Sequence, residues 1–138
     1  MKCSACIIAF LLCSCGKDVK VGEVYENVAT KERVTVEMIG SLEEVKAYAD
    51  SFYARAMQGE LSVYAAKDSL TPVQKMRVSL IRSVYAIRTG RVEARYKQLV
   101  PYAGEKFFLR HTGGHDEEIV FLPLSDLKEY RRVDEGGE

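Results

Sequence analysis

What this chain has little of narrows its chemistry first. It contains no tryptophan, three prolines and two histidines, and its four cysteines all fall within the first fifteen residues. Beyond Cys15 no disulfide framework and no cysteine metal site can be built, so the folded part depends on its core alone. The two histidines, His111 and His115, flank a glycine-containing stretch and are followed by Asp116, Glu117 and Glu118. A metal site can be sketched from them, but zinc requires three or four ligands converging from fixed directions. Consecutive carboxylates on a strand point to alternate faces, so a polar hairpin tip is the expectation and no metal ligand is assigned. No Gly-x-Ser-x-Gly and no phosphate-binding glycine loop is present. Glu43-Glu44 and Glu117-Glu118 are adjacent pairs, which separates their side chains instead of pairing them for acid and base work. No catalytic residue and no cofactor is implied.

Long apolar runs are also scarce. The longest, Cys3 to Cys15, spans thirteen residues, short of the roughly 20 a helix needs to cross a bilayer. Preceded by Lys2 and ending in small residues, it has the layout of a secretory signal. Its end, Leu12-Cys13-Ser14-Cys15, resembles the lipobox of bacterial lipoproteins, with Leu three residues before a Cys and a small residue directly before it. The resemblance implies a diacylglyceryl group on the Cys15 thiol, cleavage just before it, and a membrane-anchored protein of the cell envelope, on the periplasmic face or the surface. Cys13 is the poorer candidate, because bulky Leu12 would precede the cut. Residues 1–14 would then be the signal, 15–22 a lipidated tether, 23–133 a single α+β domain and 134–138 a frayed tail.

Removing Lys2 leaves 19 basic against 20 acidic residues. A charge near −1 gives no bulk attraction to nucleic acid or to anionic lipid, so attachment falls to the acyl chains.

After the tether, residues 23–28 and 33–39 form an expected hairpin, with Val34, Val36 and Met38 alternating against Arg33, Thr35 and Glu37. Gly40 ends it. Ser41 and Glu44 make a capping box that opens a helix with Leu42, Val45, Ala49, Phe52 and Ala56 on one stripe, stopped by Gly59. Residues 60–67 fit either a short strand or an apolar loop. A second helix starts at Thr71-Pro72, with Thr71 or Ser69 as cap, places Val73, Met76, Leu80, Val84 and Ile87 on a core stripe, and closes at Gly90. Strands are expected over 91–99, 105–111 and 118–122, the last two joined by a turn at 112–115. One or two helical turns over 125–130 and a closing strand at 131–133 complete the chain.

Helices grouped between strands point to an α+β fold: an antiparallel sheet or a small β-barrel with a two-helix insertion at about 41–90. The run from Gly22 to Val36, together with the Pro123-Leu124-Ser125 turn and Asp126 to Tyr130, resembles small β-barrels of the Src-homology type. That resemblance implies a barrel made of the hairpin and closing strands, and no activity.

One charge bias stands out. Thr71 to Arg91 holds five basic residues, Lys75, Arg77, Arg82, Arg88 and Arg91, and no acidic one. At 100° per residue Lys75 and Arg82 lie opposite the apolar stripe, whereas Arg77 and Arg88 flank it. These four are the candidate partner-binding residues, for phosphate headgroups, an acidic glycan or a protein. Tyr64 and Tyr102 are candidates for a recognition groove. The expected role is that of a lipid-anchored envelope interaction module; its rival is an envelope hydrolase or glycan-processing enzyme with a discontinuous site.

Overall fold

The computed structural model describes residues 19–112 and 118–133. Its elements are β1 (Val24–Asn27), β2 (Arg33–Thr35), β3 (Met38–Gly40), α1 (Leu42–Ala65), α2 (Pro72–Leu99), β4 (Phe107–His111), β5 (Ile119–Pro123) and β6 (Tyr130–Arg132). Short 3-10 turns at Val100–Tyr102 and Leu124–Glu129 follow α2 and β5. The strands make two three-stranded antiparallel sheets, ordered β2-β1-β6 and β3-β4-β5. The fold is α+β, and the sheets do not close into a barrel.

The expected hairpin forms, with Tyr25 opposite Val34. Its turn is held by the Asn27 side chain, whose Oδ1 accepts from the Ala29 and Thr30 N–H groups, and by Lys31 at φ +68°. The run expected as one strand over 33–39 divides instead. Val36 N–H still bonds to Glu23 in the first sheet, while the next amide, Glu37 N–H, bonds to Leu109 O at 2.7 Å. The chain thereby changes sheets between adjacent residues. The closing strand pairs with β1, placing Tyr25 opposite Arg132. Glu26 lies between Arg33 at 3.8 Å and Arg131 at 3.2 Å, and Glu23 meets Arg132 at 3.0 Å, so both neighbours of β1 are tied to it by charge as well as by backbone.

Chain contacts divide the molecule into two compact units: the chain up to Val45 together with the chain from Ala103, and Lys46–Tyr102. In the first, Tyr25, Val34, Val36, Phe108 and Leu127 form a buried cluster. Phe107, Phe108 and Leu109 are consecutive and all buried. Because side chains alternate along a strand, β4 is covered on both faces.

In the second unit the two helices form an antiparallel hairpin. Lys46 near the start of α1 bonds to Glu93 at 3.2 Å and lies over the Tyr96 ring, both near the end of α2. Further along, the Tyr53 and Tyr85 rings meet edge to face at 6.2 Å, and the Tyr85 hydroxyl donates to the Glu60 carboxylate.

Several expectations are corrected here. Gly59 and Gly90 do not stop helices; each lies inside one with no atom near where a Cβ would be. A helical glycine costs about 1 kcal/mol, which helices of 24 and 28 residues absorb. Residues 60–65 belong to α1, and 91–99 is helix, not strand. Val92, Ala94 and Tyr96 alternate, but Tyr85, Val92 and Leu99, the buried residues of α2, are seven apart and so share a helical face. The two-helix segment consequently runs from Leu42 to Leu99 instead of 41–90. On α1 the buried line is Leu42, Val45, Ala49 and Tyr53, with Phe52 and Ala56 only half-buried.

Candidate functional site: the outer face of α2

α2 begins with a two-way cap. Gln74 N–H donates to the Thr71 hydroxyl at 3.2 Å, and Thr71 N–H donates to Gln74 Oε1 at 2.9 Å, with Pro72 at the first helical position. α1 opens in the same way: Ser41 N–H donates to Glu44 Oε1 and Glu44 N–H to the Ser41 hydroxyl. The Ser41 N–H and hydroxyl, against slight desolvation and aided by Lys106, hold the Glu44 carboxyl below its usual range. Glu44 is therefore occupied with helix initiation.

Of the stripe expected in the core, only Val84 is half-buried. Val73, Met76, Leu80 and Ile87 are 59, 71, 63 and 56% exposed. α2 carries two apolar lines, and the one turned inward contains Val78, Ile81, Tyr85, Val92 and Leu99, half-buried or buried. This inner line runs from Val78 to the end of the helix, whereas the outer one gives way to Gly90 and Arg91 after Ile87, which is why the inner line wins the core. At 100° per residue the four exposed residues fall within about a 60° arc. With a rise of 1.5 Å per residue the stripe from 73 to 87 is about 21 Å long. Val63, near the end of α1, is also exposed.

The four basic candidates divide around this stripe. Lys75 and Arg82 share a face about 130–150° around the axis from it. Arg77 and Arg91 lie within about 70° of its centre and border it. Among the described residues the side chains of Lys75, Arg77 and Arg82 have no hydrogen bond or ion pair and are exposed, so their charges are available. Arg88 is not available in the same way. Its guanidinium lies 5.1 Å from the Tyr85 ring centroid. Burial, then the bond and charge of Glu60, push the Tyr85 phenol above its usual pKa, with Arg88 opposing. Arg88 thus belongs to the packing of the helix pair.

The tyrosine groove does not form. Tyr64 is at the end of α1 and Tyr102 follows α2, so in an antiparallel hairpin they stand roughly 35 Å apart by helical rise. His111 ends β4; His115 and the Gly113-Gly114 turn, like Cys15, the tether to residue 18 and the tail, lie outside the described residues. Among the described residues no group of three or more His, Cys, Asp or Glu could hold a metal ion, and no helix is long and apolar enough to cross a membrane.

The exposed stripe was missed in the sequence because two apolar lines at similar spacing compete on α2. The seven-residue spacing of Tyr85, Val92 and Leu99 was the signal that could have separated them. No family model matches this chain, and neither a curated protein nor a solved structure matches it.

Proposed function

We propose that this protein is a membrane-anchored envelope lipoprotein, acylated at Cys15, that works as an interaction module through the outer face of α2. The address rests on Leu12-Cys13-Ser14-Cys15, and the working surface on one observation. Four large apolar side chains on a single helical face are more than half exposed, and the exposed cation Arg77 borders them. A contiguous apolar surface of this kind, rimmed by polar groups, is how an interaction site is built. Arg77 borders it, while Lys75 and Arg82 supply charge from the far side of the helix.

Metabolic labelling with an alkyne fatty acid in a bacterium that acylates lipoproteins tests the address. The full chain and Cys13→Ser should take up label and Cys15→Ser should not. Equal labelling of Cys15→Ser, or none of the full chain, would defeat this reading.

A further inference from the structure

The apolar stripe and the charges beside it are a combination that a bilayer surface with anionic headgroups fits. The helical unit, 46–102, has ten basic and four acidic residues, a net +6, whereas the rest of the chain nets −6. The near-zero total thus conceals a cationic unit. Its exposed apolar stripe lies on the longest element of that unit, and no acidic residue occurs between Thr71 and Arg91. A helix with an apolar face and Lys/Arg-rich flanks lies in the interface plane, its apolar face about 5–10 Å deep and its arginines reaching the phosphates.

We infer that the outer face of α2, with its stripe of Val73, Met76, Leu80 and Ile87 bordered by Arg77 and Arg91, seats on an anionic phospholipid surface. Charge decides between occupants. Two copies joined stripe to stripe would bring Arg77 and Arg91 of one helix against the like-charged helix of the other, which is unfavourable. Anionic headgroups reverse that sign. This deepens the reading above by naming what the face binds, but it is read out at residue 80, whereas the anchor is read out at residue 15.

The absence of tryptophan makes the test direct. Leu80→Trp in the full chain gives a single indole at the centre of the stripe, and Ile87→Trp gives a second, independent reporter. Each is mixed with vesicles of brominated phosphatidylcholine, alone or with phosphatidylglycerol. With the anionic vesicles the emission should shift to the blue and fall about twofold as the ring enters the acyl boundary. Adding Arg77→Glu and Arg91→Glu should weaken this by at least about 30-fold, since each cation near the surface contributes about a fivefold factor. Raised salt should weaken it too.

No shift or quenching at either reporter with anionic vesicles would overturn the inference. So would equal quenching with neutral vesicles, which would show that charge plays no part. A blue shift that grows with protein concentration without vesicles would assign the stripe to a second copy, and one produced by polyglutamate but not by vesicles would assign it to an acidic protein. Fatty-acid labelling at Cys15 combined with a silent residue 80 would leave the anchor in place and remove only the seated helix.

Discussion

Replacing Leu80 and Val92 separately by alanine distinguishes the two apolar lines of α2. Leu80 is 63% exposed and Val92 is 3% exposed, although both are aliphatic residues of one helix. Val92→Ala removes two methyl groups at about 0.8 kcal/mol each, about 1.6 kcal/mol of lost transfer energy. A residual cavity of about 50 Å³ at 24 cal/mol per Å³ adds about 1.2 kcal/mol, so the expected loss is about 2–3 kcal/mol. Leu80→Ala removes a larger side chain, but one already in water, and alanine has the better helix propensity, so its cost should stay within about 0.5 kcal/mol. Urea unfolding without lipid, followed by circular dichroism at 222 nm, measures both. The prediction is a lower midpoint for Val92→Ala and almost none for Leu80→Ala, with the slope unchanged. If Leu80→Ala cost as much as Val92→Ala, the outer stripe would be core and the proposed binding surface would not exist.

Three further outcomes follow from local geometry. A Cβ on Gly40 would come within 2.8 Å of Glu44 Oε1 and 3.1 Å of Glu44 Cβ. Gly40→Ala should therefore displace Glu44 from the cap of α1 and lower the midpoint in the same urea assay. Lys31 holds a left-handed backbone at φ +68°, so Lys31→Gly should raise stability by about 1 kcal/mol, seen as a higher urea midpoint. The pH profile has two limbs. The Tyr85 phenol is raised by burial and Glu60, and the Lys46 ammonium by its bond to Asp50 and by Glu93, from reference values of 10.0 and 10.5. Groups raised on folding contribute fully below those values and lose their contribution as pH climbs past them. Stability should thus hold through neutral pH and fall above about pH 10, with Tyr85→Phe flattening that limb. Glu44 and Glu23 work in the opposite direction. Glu23 is opposed by desolvation but held down by the Lys20 N–H, the Tyr25 hydroxyl and Arg132, so their contributions are present above 4.5 and disappear as pH falls through their lowered values.

Where one local rule acted alone, the sequence was a sufficient guide. Ser41 with Glu44, Thr71 followed by Pro72, and the alternation around Val34 each gave the observed element, because capping and strand pairing depend on residues a few positions apart. The α+β class followed from their order. Reading failed where two rules competed. Val92-Ala94-Tyr96 satisfies a period of two and, with Tyr85 and Leu99, a helical line; the partner that decides between them is Lys46, a distant residue. The division of 33–39 between sheets could not be seen because it depends on Leu109, more than seventy positions beyond Glu37. Of the candidate site, the charge bias of α2 and the separation of Lys75 and Arg82 from Arg77 and Arg88 were legible. Which apolar line faced water was not, since that depends on what α1 offers as a partner.

The lipid-anchored reading is most directly tested at the amino terminus itself. Mass spectrometry of the N-terminal peptide from protein extracted from native membranes should find a chain that begins at Cys15 and carries a diacylglyceryl thioether. A chain that begins at Met1 with an unmodified Cys15, recovered from the soluble fraction, would contradict the account.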